Sequence, residues 1–235
     1  MEKQLKRITS EKDVGVIIND KLSCEDHLAE KVNKANKIVG IIRRTFITLD
    51  AAMFKLLFVA LVRPHLEYAN QVWCPYLVKD IEMVENVQRR ATRMIAELKG
   101  LAYEERLKKL KLPTLAYRRA RGDLIETYKI LTGGYDEECC KGILKLREES
   151  ISRGNSLKLY KTRSRLNIRK YAFSCRVVNN WNQLPEWVVT ATTVKQFETR
   201  LDKFWINQEL KYNYRMQITH HTLPQVGNVE LESQA

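Results

Sequence analysis

The stretch Leu61–Leu98, LVRPHLEYANQVWCPYLVKDIEMVENVQRRATRMIAEL, decides how the rest of the chain is read. An apolar helix runs into Pro64, an aromatic segment with Glu67, Tyr68 and Trp73 follows, and a turn at Cys74-Pro75 leads into a second helix bearing Arg89, Arg90 and Arg93. In that helix, predicted from about Asp80 to Leu98, residues Ile81, Val84, Val87, Ala91, Ile95 and Leu98 share one face. Glu85 and Arg89 stand four apart in the favourable orientation, so a pair between them is expected. Arg90 and Arg93 have no such acidic partner and are the better candidates for an external phosphate. Apolar on one side and cationic on the other, the stretch suits a helical module that grips nucleic acid.

Upstream, Gly15-Val16-Ile17-Ile18 reads as a strand closed by Asn19-Asp20, with Leu5 to Ile8 as its expected hairpin partner. Two strands alone are marginal in water, so the pair should lean on the helices that follow. A helix is expected from Ser23, with Ser23 as cap and Glu25 and Asp26 in the first turn. Leu28, Val32, Ala35, Val39, Ile42 and Phe46 give it one apolar stripe, and Lys31, Lys34, Lys37, Arg43 and Arg44 lie off that stripe. A second helix begins after Asp50, is apolar nearly all round to Val62, and is expected to be central to the core. Pro64 should end or kink it before it resumes to about Trp73.

Downstream, a short helix is predicted over Tyr103–Lys111, with Pro113 in the first turn of the next. Tyr117, Ala120, Leu124, Tyr128 and Leu131 form the buried stripe of that helix, and Gly133-Gly134 end it. Its early turns carry Arg118, Arg119 and Arg121, which places the electrostatic focus between Arg89 and Arg121. Residues 135–155 read as a linker. Leu157 to Ile168 alternates apolar and basic residues (Lys158, Lys161, Arg163, Arg165, with Arg169 beyond), as a basic hairpin or an extended arm would. Helices follow at Phe173–Leu184, with Phe173, Val177 and Trp181 on one side, and at Thr193–Ile206, with Val194, Phe197, Leu201 and Phe204 inward. Beyond about Asn207 a polar, disordered tail is expected.

The chain has 235 residues and a formal net charge of +13, from 41 basic and 28 acidic residues. An excess of that size points to a polyanionic partner, because Lys and Arg that neutralise phosphates release counterions. Its five cysteines are odd in number and irregularly spaced, Met1 is followed by the polar EKQLKR, and no apolar run is long enough for a bilayer. Reduced thiols in the cytoplasm or nucleus, and no membrane association, are the expectation.

Several blocks, in order, resemble the region after the polymerase palm in non-LTR retrotransposon reverse transcriptases of the jockey and CR1-like kind: KDVGVIINDKLS, KVNKANKIVGIIRRTF, LVRPHLEYANQVWCP, VENVQRRATRMI, LPTLAYRRARGDLIETYKIL and RVVNNWNQLPEWVVTATTVKQFETRLDKFW. They cover about residues 12–206. The resemblance implies the end of a palm over 1–20, a helical thumb over 21–134, the linker 135–155, a helical C-terminal region over 156–206 and the tail 207–235. It implies a mainly α fold with a short N-terminal β-hairpin. It also implies RNA or RNA–DNA hybrid backbone as the partner, with a palm domain to associate with. Val14 departs from the family's usual leucine. The polymerase family holds two Mg ions on palm carboxylates, including a Tyr-x-Asp-Asp pair that this chain lacks. The chain is therefore expected to have no cofactor or catalytic residue of its own and not to polymerise alone. Lys34, Lys37, Arg90, Arg93, Arg118, Arg119 and Arg121 are the candidate phosphate contacts. The rival expectation is an inert or protein-interaction remnant.

Other constellations are incomplete. Tyr135-Asp136-Glu137-Glu138 lacks flanking apolar strands and reads as linker. Cys24–His27, Cys139-Cys140 and His220-His221 fall short of a four-ligand zinc site. Cys74 reads as a buried thiol, His65 as structural, and Trp73, Trp181, Trp187 and Trp205 as core.

Overall fold

In the computed structural model, which describes residues 8–147 and 155–219, the chain opens on an antiparallel hairpin of β1 (Ser10–Asp13) and β2 (Val16–Asn19). Asp13 pairs with Val16, leaving a loop of only Val14 and Gly15, at φ 43° and 81°. Positive φ at both loop residues is what a type I′ turn requires, and its twist matches that of the strands. The turn fixes the register, so the partner of β2 is Ser10–Asp13 rather than Leu5–Ile8. Residues 1–7 lie outside the described residues. The hairpin leans on the helices: the Ile17 N–H donates to Nδ1 of His27 at 3.1 Å, and the Tyr68 hydroxyl donates to the Val14 carbonyl at 2.9 Å.

Helix α1 (Glu25–Thr45) buries Leu28, Val32, Ala35 and Ile42, with Val39 and Phe46 packed at the edge of the same core. Ser23 Oγ accepts the Glu25 N–H at 3.2 Å. Asp50 caps α2 (Ala51–Leu57) by accepting the Met53 N–H at 2.7 Å. The chain then passes through a π turn, Phe58–Val62, directly into α3 (Arg63–Glu67). Pro64 therefore does not end the helix. The wide turn, in which the Arg63 N–H reaches the Phe58 carbonyl, takes up the residue that cannot join an i→i−4 ladder. Nor is this helix buried all round. Phe54, Phe58, Val62 and Leu66 face the core, whereas Leu56 and Leu61 are exposed. Ala69, in the left-handed region at φ 53°, breaks the helix before the short α4 (Asn70–Trp73).

Helix α5 (Val78–Ala91) is shorter than its apolar pattern. A 3₁₀ turn at Thr92–Met94 and an extended Ile95 follow it. Arg106 of α6 (Tyr103–Leu110) is the reason. Its buried guanidinium donates to Thr92 Oγ1 at 3.1 Å and to the Arg89 carbonyl at 3.3 Å, taking up a carbonyl at the helix end. The expected Glu85–Arg89 pair is not formed. Glu85 is buried and accepts from Tyr103 Oη at 2.6 Å and from the Leu115 N–H at 3.0 Å, so its carboxylate sits on the N-terminus of α7 (Leu115–Leu131). Pro113 precedes that helix, and its cap is Thr114, whose hydroxyl accepts the Tyr117 N–H at 3.1 Å.

The apolar core divides on α7. Leu115 ends one cluster, built from β2 and α1 to α6, and Tyr117 begins another. The second cluster is completed by α10 (Phe173–Asn182), α11 (Glu186–Val189) and α12 (Val194–Phe204). The two clusters thus meet on α7, which buries residues on both of its sides. Trp73, Trp181 and Trp205 are core, while Trp187 is 38 % exposed and meets Phe204 edge-on. The chain after Asn207 is not all tail: Leu210 and Tyr214 are buried, and Thr114 donates from Oγ1 to the Leu210 carbonyl at 2.6 Å.

Candidate nucleic-acid interface

The arginines of α7 face partners inside the molecule. Arg118 makes a bidentate pair with Glu67, with Nη2 at 2.9 Å from Oε2. Arg121 makes another with Asp202 of α12, at 2.6 and 2.9 Å. Arg119 is 5 % exposed and lies beside Cys74 and Glu85. Together with Asp123 and Arg176, these residues join the two halves of the core. Burial pushes the Cys74 thiol up, although Arg176 and Arg119 pull the other way. Within the predicted focus between Arg89 and Arg121 the α7 arginines are thus engaged inside the molecule, whereas Arg90, Arg93, Lys99, Lys108, Lys109 and Lys111 are exposed. Arg89 too is engaged, donating to Tyr214 Oη at 3.0 Å and lying over the Tyr103 ring.

Lys34, Lys37, Arg90 and Arg93 are exposed, and among the described residues none is in an ion pair. No acidic residue lies between Glu30 and Asp50, so the exposed side of α1 carries charge of one sign, with Lys37 and Arg44 at its centre and Lys34 and Arg43 on opposite flanks. Gly40 and Ile41 share that face with Lys37, Arg43 and Arg44, forming a shallow open surface. A Cβ placed on Gly40 would meet nothing, so the packing of this chain does not account for a mid-helix glycine there. Such a glycine costs about 0.5–1 kcal/mol. His65 of α3 lies by the same helix. Partial burial lowers its pKa, and the positive charges of Lys34 and Lys31 lower it further. Arg93 lies instead toward Arg106, and no hydrogen bond or ion pair joins Arg90 or Arg93 to the α1 face among the described residues.

A second cationic stretch runs from Tyr160 into α9 (Asn167–Lys170), with Lys161, Arg163, Arg165 and Arg169 all exposed. It is an arm without regular secondary structure before α9, joined at its root to the 145–147 segment by an antiparallel bridge between Leu146 and Leu159. These residues are absent from the candidate phosphate contacts drawn from helical periodicity. The signal that marks them is the lack of any Asp or Glu between Glu149 and Glu186.

Asp136 caps the one-turn helix α8 (Glu137–Cys140), accepting the Glu138 N–H at 2.9 Å, so the Tyr135–Glu138 segment is an exposed turn as expected. Among the described residues no three His, Cys, Asp or Glu side chains are grouped to hold a metal ion. His220-His221 lies outside those residues. No helix among them is long and apolar enough to cross a membrane. No protein-family model, no curated protein and no solved structure significantly matches the chain.

Proposed function

We propose that this chain binds the phosphate backbone of RNA or an RNA–DNA hybrid through the outer face of α1, as the thumb and following segment of a non-LTR retrotransposon reverse transcriptase would. The observation that carries this reading is the contrast between two helices. Arg118 and Arg121 of α7 are held by internal partners and Arg119 is buried, whereas Lys34, Lys37, Arg43 and Arg44 of α1 stand exposed and, among the described residues, form no ion pair. Gly40 lowers the surface between them, leaving room for a phosphate to approach. Backbone contact of this kind is strongly salt-dependent and blind to sequence. Arg90 and Arg93 form a second, separate contact. Lacking the Tyr-x-Asp-Asp turn, the chain is expected to add no nucleotide to a primer unless a palm is supplied.

The test is fluorescence anisotropy with a labelled RNA–DNA hybrid at 50 and 200 mM salt. Lys34→Glu/Lys37→Glu is expected to weaken binding at least about tenfold and to flatten the salt dependence. Arg90→Glu/Arg93→Glu is expected to have a smaller effect. Unchanged affinity in the α1 variant defeats the reading. The exposed apolar residues Ile41 on α1, Ile47 after it, Leu56 on α2 and Leu61 in the π turn favour the alternative, a protein-interaction remnant. Gel filtration showing self-association, together with indifference to nucleic acid, is the outcome that reading predicts.

A further inference from the structure

The arm between Tyr160 and Tyr171 is fixed at both ends and open between them. At its root, Asn182 grips Leu159 on both sides: the Leu159 N–H donates to Asn182 Oδ1 at 2.7 Å, and Asn182 Nδ2 donates to the Leu159 carbonyl at 2.9 Å. The Tyr160 N–H donates to the Lys145 carbonyl at 2.7 Å. At the far end Arg176, itself locked to Asp123, donates to the Tyr171 carbonyl at 3.1 Å, and the Tyr171 ring stacks on Tyr76 at 4.3 Å, with 7° between the planes. Among the described residues, Lys161, Arg163, Arg165 and Arg169 form no ion pair, and the backbone from Lys161 to Ser164 makes no backbone hydrogen bond.

Lys161, Arg163 and Arg165 alternate along the segment, which is without helix, strand or turn from Lys161 to Ser164 and bends at Arg165 toward α9. Alternate residues of an extended chain are about 6.5 Å apart, comparable to the spacing of successive phosphates along an open strand. Aromatic rings stand at both ends of the row: Tyr160 is 56 % exposed, and Tyr76 of the Tyr76–Tyr171 stack is 40 % exposed. A cationic track with flanking aromatic rings is how proteins hold single strands without reading their sequence, with charge following the backbone and rings receiving bases. A duplex keeps its bases stacked inside and offers nothing to those rings.

We infer that the Tyr160–Tyr171 arm is a binding strip for single-stranded nucleic acid, distinct from the α1 face. Arg163, Arg165 and Arg169 contact phosphates, and Tyr160 stacks on a base. Its anchors lie in α7, in α10, at Tyr76 and in the 145–147 segment, and it requires nothing of α1.

The experiment uses the full chain with a labelled 20-nucleotide oligouridylate and, in parallel, the RNA–DNA hybrid. The Arg163→Gln/Arg165→Gln/Arg169→Gln variant is expected to lose about tenfold or more in single-strand affinity, and the slope of log affinity against log salt is expected to shallow by about 2. Tyr160→Ala, which removes no charge, is expected to cost roughly five- to a hundredfold on the oligouridylate and leave hybrid binding unchanged. Retention of single-strand affinity in the triple variant overturns the inference. So does a silent Tyr160→Ala combined with equal binding of polyglutamate, which makes the arm a surface for an acidic protein. A loss of single-strand binding in Lys34→Glu/Lys37→Glu matching that of the triple variant also overturns it, by merging the arm with the α1 face. If hybrid binding fails and single-strand binding follows the arm, the α1 reading falls and this one stands. Unchanged near-ultraviolet circular dichroism from the buried tryptophans checks that each variant is folded.

Discussion

Arg176 of α10 donates from Nε and Nη2 to the two carboxylate oxygens of Asp123 on α7, at 2.8 and 2.9 Å. Asn70 donates to the same carboxylate at 3.2 Å, and Arg176 also reaches the carbonyls of Asn70, Gln71 and Tyr171. Burial works against the guanidinium charge, but the hydrogen bond and charge of Asp123 more than offset it and raise the Arg176 pKa. One side chain thereby ties α4, α7, α10 and the end of the basic arm together. Asp123→Ala leaves that cation buried without its counter-charge, and urea unfolding is expected to show a loss of about 3–5 kcal/mol. Arg176→Met combined with Asp123→Leu should cost much less than either single change, since apolar replacement of both partners removes the stranded charge.

His27 makes the hairpin's attachment sensitive to pH. Its buried ring accepts from Ile17 at Nδ1, and burial, then the charge of Lys31, lowers its pKa from 6.5 to about 4. The unfolded chain takes up the proton first as pH falls, so stability is full above about 6.5 and is lost progressively toward 4. His65, also lowered, adds to the same trend. Denaturant midpoints measured between pH 7 and 4 should fall in that window, and less steeply in His27→Asn. A flat profile in the wild-type chain would rule this out.

The hairpin loop carries a removable strain. Val14 is β-branched, 79 % exposed and held at φ 43°. Asn tolerates that region far better, so Val14→Asn is expected to raise stability by roughly 1 kcal/mol, read as a higher melting temperature. At Gly15 (φ 81°) a Cβ would stand 3.3 Å from the Tyr68 ring, so Gly15→Ala should lower stability by about 1–2 kcal/mol.

The fate of Arg121 separates structural from binding cations. Its partner Asp202 is half-exposed, so Arg121→Ala should cost no more than about 1 kcal/mol in thermal or chemical unfolding. Affinity for the RNA–DNA hybrid should stay within about twofold of the parent chain, in contrast to Lys34→Glu/Lys37→Glu. A loss of binding equal to that of the α1 variant would return Arg121 to the interface.

What the sequence determined by itself is local. The apolar stripes of α1, α7 and α12, the helix start after Asp50 and the helix end at Gly133 each depend on residues within a few positions of one another, where helical period and terminal residues are legible. The mainly α architecture with its short hairpin follows from those elements. What only the tertiary structure decided is which cations are left for a partner. Arg118 finds Glu67 across 51 residues, Arg121 finds Asp202 across 81 and Arg89 finds Tyr214 across 125. On a helical wheel a cation satisfied from the far end of the chain looks the same as one that waits for a phosphate. Long-range pairing also set the end of α5, because Arg106 takes the Arg89 carbonyl. The Leu61–Leu98 stretch therefore serves mainly as scaffold, with Arg90 and Arg93 exposed near its end, while further exposed cations lie on α1 and on the arm after Tyr160.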